Sequence, residues 1–273
     1  MSIGCRHLID SPILANEEAA AGHRRMRLLA PAMAREAKAG QFCMVQVAEG
    51  LYPFLRRPMC FERVRGDEVH ILFKIEGEGT RLLAGMTPGQ AIPLQGPLGN
   101  GFPLDDSFDR HIIVAGGIGV APFPFLAEAL TETCGKDPEV VLAARTRGLL
   151  LCENEFRAMG CEVHLATDDG SAGEKAFAAQ LVERLNPGPG TRVYACGPMI
   201  MMSTVAAVSS RNGANCLVSL EAQMACGDGA CLGCVVPAKD EHEGEKMVRV
   251  CVDGPVFDSE IIDWEARDKA YDL

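Results

Sequence analysis

The chain reads as α/β plus β: an N-terminal antiparallel β-barrel over residues 1–104, a doubly wound parallel sheet over 105–220, and a small cysteine-rich segment with its tail over 221–273. Three observations predict this. Up to about residue 104, short alternating or apolar runs are separated by turn residues. From His111 onward, apolar strands alternate with segments of helical length. Past Leu220, cysteines crowd among glycines. A chain of 273 residues with 48% hydrophobic content can build cores for two or three such units.

In the first unit, Phe42 to Val47 and Val69 to Ile75 are strand runs bounded by Gly40, by Arg65–Gly66–Asp67 and by Thr87–Pro88–Gly89. The piece Ala30 to Gly40 reads equally as a helix or a polar connection. In the second unit, strands are expected at His111–Ala115, Glu139–Ala144, Glu162–Thr167, Arg192–Cys196 and Cys216–Leu220, with helices at Ala121–Thr133, Glu153–Met159, Glu174–Leu185 and Met199–Asn212. Alternation of this kind implies parallel strands joined by crossover helices. The third unit carries a strand Val248–Cys251 in a hairpin, and its acidic tail from Asp258 to Leu273, with Trp264 and Tyr271, suits a short surface helix.

A net charge of −11 with no basic run argues against a nucleic-acid partner, because phosphate binding rests on Lys and Arg. No stretch reaches the roughly eighteen apolar residues that span a bilayer. Met1 to Asp10 carries Arg6 and Asp10 and no apolar run follows, so no secretory leader is expected, and the chain is predicted to be soluble and cytoplasmic.

The cysteines carry the most specific signal. Four residues separate Cys226 from Cys231, two separate Cys231 from Cys234, and sixteen lie between Cys234 and Cys251. This is the C-x4-C-x2-C spacing, with a later fourth thiolate, of plant-type [2Fe–2S] sites. Gly227, Gly229 and Gly233 let the backbone wrap closely and bring N–H groups near the sulfurs. Structural zinc is the competing reading, although zinc usually takes two close pairs far apart. Most of the remaining cysteines (Cys5, Cys43, Cys60, Cys134, Cys152, Cys161, Cys196 and Cys216) sit in apolar sequence as small hydrophobes.

Gly116–Gly117–Ile118–Gly119 lies between a strand and a helix, where glycines allow a phosphate to approach backbone N–H groups, although Pro122 holds the last glycine position of G-x-G-x-x-G. Cys196–Gly197–Pro198–Met199 ends a later strand of the same sheet and can face the same crevice. Thr167 and Asp168, also past a strand end, offer a hydroxyl and a carboxylate to a ribose. In the barrel, Arg57–Pro58–Met59–Cys60 pairs a guanidinium suited to a pyrophosphate with a rigid proline beside a flat ring. Gly77–Glu78–Gly79–Thr80 adds further phosphate donors. Each of these taken alone is an ordinary loop.

Their order is not. R-P-x-C, then Leu72–Phe73–Lys74 leading to Gly79–Thr80, then G-G-I-G, C-G-P-M and the cysteine set together resemble the ferredoxin-reductase superfamily, and more narrowly the electron-transfer subunits of class B dihydroorotate dehydrogenase. The resemblance runs from roughly Arg57 to Phe257. It implies FAD on the barrel, held by Arg57, Pro58, Met59, Cys60, Leu72, Phe73, Lys74, Gly79 and Thr80. It implies NAD on the α/β unit, at Gly116, Gly117, Gly119, Thr167, Asp168, Cys196, Gly197, Pro198 and Met199, and a [2Fe–2S] cluster on Cys226, Cys231, Cys234 and Cys251. Cys60 departs from the serine usual at its position, and a thiol donates a weaker hydrogen bond.

The implied activity is that of an oxidoreductase subunit of pyrimidine biosynthesis. An FMN-containing catalytic subunit oxidises dihydroorotate, and electrons pass through the cluster and FAD to NAD+. The implied assembly is a heterotetramer with two copies of each subunit. The cofactors carry the chemistry and no side chain is needed as a nucleophile. The same three modules also serve hydrogenase, sulfide dehydrogenase and bifurcating NADH–ferredoxin complexes, and an iron–sulfur redox sensor without enzymatic activity is the reading from another class. Arg145–Thr146–Arg147 leaves NAD against NADP undecided at this level, NAD being favoured by the resemblance.

Overall fold

The computed structural model describes residues 7–104, 107–239 and 245–266; Cys5 and Tyr271 lie outside them. Six strands form a closed antiparallel barrel: β1 (His7–Ala20), β2 (His23–Leu29), β3 (Phe42–Val45), β4 (Arg57–Arg65), β5 (Glu68–Lys74) and β6 (Ala91–Leu98), in the order β1-β2-β5-β4-β3-β6. The alternation in β2 and β5 explains the closure. Met26, Leu28, Val69, Ile71 and Phe73 point inward and are fully or almost fully buried. The open question over Ala30 to Gly40 resolves as a short helix, α1 (Pro31–Glu36), which starts on a proline whose missing N–H costs nothing there. A second helix, α2 (Glu78–Gly85), was not expected. Gly77–Thr80, read as a loop, is the first turn of this helix.

The α/β unit holds β7 (Arg110–Gly116), α3 (Phe123–Cys134), β8 (Glu139–Ala144), α4 (Glu153–Ala158), β9 (Val163–Thr167), β10 (Glu174–Lys175), α5 (Ala178–Leu185), β11 (Thr191–Cys196), α6 (Met199–Arg211) and β12 (Asn215–Ser219). The expected strands and helices appear with shifts of a residue or two, with one exception. Glu174–Leu185 is not one helix: Glu174 and Lys175 extend the sheet beside Ala166 and Thr167, and the helix begins only at Ala178. The parallel order runs β10-β9-β8-β7-β11-β12.

The cysteine segment adds a hairpin of β13 (Val235–Lys239) and β14 (Glu245–Arg249) and a short strand, β15 (Val256–Asp258). Strand β14 ends at Arg249, so Cys251 sits in the turn that follows and not on the strand as expected. Strand β15 returns to pair antiparallel with β12, Val218 facing Phe257, and so fastens the third segment to the sheet. In the tail, where a short helix is expected, the described residues hold a 3-10 turn, Ser259–Ile261, and helical residues 264–266, and Trp264 Nε1 donates to the Ser259 carbonyl at 3.1 Å.

The three segments share one core. Phe42, Met44 and Leu98 of the barrel pack with Val114 and Val218 of the sheet and with Cys234, Val250 and Cys251. Ion pairs lock barrel to sheet on the other side. Arg25 of β2 reaches the buried Glu62 of β4 and Glu155 of α4, both at 2.7 Å, while Arg63 and Arg65 at the end of β4 pair with Glu128 of α3. Strand β4 therefore carries the Arg57–Cys60 motif at its start and its interdomain anchor at its end.

Candidate functional site

A cavity of about 240 Å³ lies where the three segments meet. The barrel contributes Pro58, Met59 and Cys60 from β4, Leu72, Phe73 and Lys74 from β5, and Thr80 from α2; the sheet contributes Gly119 and Cys196; the cysteine segment contributes Glu221, Ala222 and Met224. The cavity is mostly apolar, with a few polar groups at its edge, as suits a flat aromatic ring system. Met224 stands two residues before Cys226, so the cluster loop leaves directly from its wall.

Arg57 and Gly79 lie just beyond. A Cβ on Gly79 would stand 2.5 Å from Arg57 Nε, so only glycine lets the guanidinium press onto the first turn of α2. A cation against a helix N-terminus is an electrostatic mismatch that an anion between them removes, and this arrangement fits a pyrophosphate. The hydroxyl oxygen of Thr80 accepts the N–H groups of Glu76 (2.9 Å) and Gly77 (3.1 Å), which makes it the cap of this helix. Its main work is to hold the N-terminus in place.

The two glycine turns of the sheet are built against one another. A Cβ on Gly119 would overlap the Cys196 carbonyl, one on Gly197 would lie 2.9 Å from Gly116 Cα, and one on Gly116 would lie 2.6 Å from Met201 Sδ and 2.8 Å from Pro198 Cδ. These glycines are required by loop-on-loop packing, whatever else they bind. Gly117, at φ +54 with no neighbour within 4 Å of a Cβ, keeps its face open.

Thr167 and Asp168 do not reach the cavity. Thr167 is fully buried, its hydroxyl donating to the Ala172 carbonyl (2.8 Å) and accepting the Ala172 N–H (3.1 Å). It closes the turn that presents Asp168 and Asp169 at the carboxyl end of β9. Met199, Gly197 and Pro198 likewise stand behind Cys196, outside the cavity lining.

Sequence reasoning missed Ser219, Glu221 and Met224. Their only signal was position, at the carboxyl end of the last parallel strand, where ligands of such sheets gather. Glu221 acts on its neighbours. Burial pushes the Cys60 thiol up to about 12 and the Cys196 thiol well above its usual value, and the Glu221 carboxylate adds to both shifts.

The four cluster cysteines divide into two pairs. Cys226 and Cys231 touch each other at the surface, with Cys231 exposed, while Cys234 and Cys251 are buried. Backbone N–H groups converge on these sulfurs: Gly233 on Cys231 at 3.4 Å, Cys251 on Cys234 at 3.4 Å, and Gly229 on Cys251. The N–H groups of Gly233, Cys226 and Ala225 draw the Cys231 thiol down to about 7. Among the described residues, the one set of three ligand atoms lying within 4.8 Å of one another is Glu139, Glu162 and His164, so no three of the four sulfurs meet that limit. A tetrahedral zinc site built from four thiolates would hold all the sulfurs about 3.8 Å apart, given a Zn–S bond of about 2.3 Å. The arrangement fits two irons with two thiolates each better than one zinc.

The comparisons with known proteins agree with this geometry. A family model for the iron–sulfur cluster binding domain of dihydroorotate dehydrogenase B matches residues 221–263, and one for the oxidoreductase NAD-binding domain matches residues 113–207. The dihydroorotate dehydrogenase B (NAD(+)) electron transfer subunit of Desulforamulus reducens is 38% identical, over 94% of this chain and 99% of that protein. The subunit of the same name from Bacillus caldolyticus is 40% identical over 80% of this chain and 84% of its own length. Among solved structures, that of an NADH-dependent reduced ferredoxin–NADP oxidoreductase, a flavin-based electron-bifurcating enzyme, superposes with a TM-score of 0.83 at 27% identity, covering 98% of this chain and 94% of that one. A ferredoxin NADP+ reductase from Neisseria gonorrhoeae, 18% identical with a TM-score of 0.63 over 76% of this chain and 92% of its own, shares the fold. No helix among the described residues is long and apolar enough to cross a membrane.

Proposed function

The chain belongs to the family of dihydroorotate dehydrogenase B electron-transfer subunits, and from that membership we propose how its residues serve the transfer. It is an oxidoreductase subunit that works with a catalytic partner through iron–sulfur, flavin and nicotinamide cofactors. The observation that carries the residue assignment is the shared cavity, which the barrel, the sheet and the cysteine segment line together.

In this reading Arg57 and the N–H groups at Gly79 and Thr80 hold the FAD pyrophosphate, while Pro58–Cys60 and Leu72–Lys74 flank its ring. Gly116, Gly117 and Gly119 with Cys196–Met199 shape the nicotinamide end of NAD, and Thr167 holds Asp168 where a ribose hydroxyl can bind. Cys226, Cys231, Cys234 and Cys251 ligate the [2Fe–2S] cluster. When bound, these groups supply the conversion between single electrons and a hydride equivalent.

The chain's own residues provide placement and dryness. The apolar wall of Phe42, Leu72 and Leu220 excludes water from the ring site, Gly119 and Cys196 bring the two sheet turns against its edge, and Met224 ties the cluster loop to the wall. Neutral thiols at Cys60 and Cys196 add no charge there, so Glu221 is the acidic group that acts on both. The working units are residues 1–104, 105–220 and 221–273.

The partner in this proposal is an FMN-containing subunit that oxidises dihydroorotate, two copies of each chain forming the complex. The test is anaerobic. Mixing the loaded protein with that subunit, dihydroorotate and NAD+ should produce NADH absorbance only when both proteins are present. A second reading is favoured by the likeness at TM-score 0.83 to the bifurcating oxidoreductase: the same module serving a different partner. NADH-to-dye activity from this chain with no NADH formed in the mixture would select it.

A further inference from the structure

Arg249 lies outside the assigned sites, yet a dense set of hydrogen bonds fixes it in the cysteine segment. Its guanidinium donates from Nε to Asp253 Oδ2 and from Nη2 to Asp253 Oδ1, both at 3.2 Å, and its backbone N–H donates to Asp253 Oδ2 at 2.8 Å. The Asp253 N–H returns a bond to the Arg249 carbonyl at 2.9 Å. These bonds close the five-residue turn that carries Cys251.

The same guanidinium reaches across to the other pair of cysteines. Its Nη1 lies 3.5 Å from the Gly229 carbonyl, inside the Cys226–Cys231 loop, and a Cβ on Gly229 would come within 3.3 Å of it. Gly229, held at φ +87, aims its own N–H at the Cys251 sulfur. Arg249 thus stands between the two halves of the thiolate set, bonded to the turn that carries Cys251 and against the backbone of the Cys226–Cys231 loop.

We propose that Arg249, oriented by Asp253, is a positioning residue that staples the Cys226–Cys231 loop to the Cys251 turn and whose charge sets the reduction potential of the cluster. This rests on the reading of the four cysteines as [2Fe–2S] ligands. Reduction adds a negative charge to the cluster, so a nearby cation favours the reduced form and a nearby anion disfavours it. Asp253 partly cancels Arg249, and the two side chains are 38% and 31% exposed, so each effect is screened but not abolished.

The experiment is a dye-mediated redox titration of the iron-loaded full chain, followed by electron paramagnetic resonance of the reduced cluster, with iron per chain measured in parallel. R249Q removes the cation and leaves Asp253, so its midpoint should fall. D253N removes the anion while keeping an oxygen for the Arg249 N–H, so its midpoint should rise. R249K should restore most of the R249Q shift while losing iron faster to a chelator, because an ammonium cannot reproduce the two-pronged contact. A merely structural role would move R249Q and D253N in the same direction, or neither, and either result overturns the proposal. If R249Q does not retain iron, D253N decides alone: an unchanged or lowered midpoint overturns it. Failure of the wild-type chain to take up iron would instead overturn the ligand reading itself.

Discussion

The loop around Cys231 and the pocket around Cys60 use one side chain in two opposed ways. Around Cys231, backbone N–H groups from Gly233, Cys226 and Ala225 converge on an exposed thiol and draw it down to about 7. Around Cys60, burial and the Glu221 carboxylate push the thiol up to about 12, and Cys196 and Cys43 are raised for the same first reason. A lowered thiol does not by itself mark a ligand: Cys251, in the proposed cluster set, is likewise pushed up to about 12 by burial, while Cys60 stands as a neutral group in the wall of the shared cavity. Twelve cysteines therefore do not make twelve candidate ligands. The C-x4-C-x2-C spacing with its later partner singles out the four.

The strongest way to break the contrast is at the ligand itself. Cys231→Ser should reduce iron per chain to near zero and abolish electron exchange with the catalytic partner, while NADH-driven dye reduction stays within about twofold, since the flavin environment is untouched. Equal loss of both activities would mean that the cluster loop also builds the flavin pocket.

Cys152 extends the comparison to a third setting. It packs under Glu62 and Arg25, and Glu62 has a side chain only 3% exposed. Arg25→Met would leave that carboxylate buried without its cation, costing about 3 kcal/mol or more. Denaturant unfolding should show this loss, and a change below about 1 kcal/mol would show that Glu62 is hydrated in the variant.

Gly227 sharpens the contrast on the backbone side. Its φ is +75, and a Cβ would stand 2.5 Å from Met44 Cγ. Gly227→Ala should cost about 1–3 kcal/mol through strain and overpacking. Release of iron to a chelator is the direct readout and should be faster by several-fold, with the fold unchanged by circular dichroism.

The raised thiols carry a pH signature. Because Cys60 and Cys216 titrate near 12 when folded, against about 8.5 unfolded, the stability they contribute is fully present below the unfolded value and is lost as pH rises through about 9 toward 12. A thermal midpoint that held level from pH 8 to 11 would contradict it.

The smallest effect concerns Cys60, proposed to flank the flavin ring. Cys60→Ser should strengthen FAD binding by a factor of a few, since a hydroxyl gains about 1 kcal/mol or less over a thiol as donor. Flavin fluorescence titration measures it directly.

Local sequence determined what depends on neighbours along the chain. The spacing of Cys226, Cys231 and Cys234 selects a tight loop with glycines at its turns, and the alternation of strands and helices from His111 dictates a parallel sheet, because covalent geometry and side-chain period act over a few residues. Helix α2 escaped notice because its first turn is glycine-rich and its cap comes from Thr80 inside that turn, while Gly77 holds the position where a Ser, Thr, Asp or Asn would signal a helix start. The break at Glu174–Lys175 escaped because sheet pairing with β9 overrode helical composition. Glu221, Ser219 and Met224 carry no motif at all. They become pocket residues only when the end of β12 and the chain that follows it lie against the barrel. The Arg249 contact with Gly229 and the Arg25 bridge from β2 to α4 likewise join residues 20 and 130 positions apart. Burial and ion pairing at that range are properties of packing, and only the tertiary structure decides them.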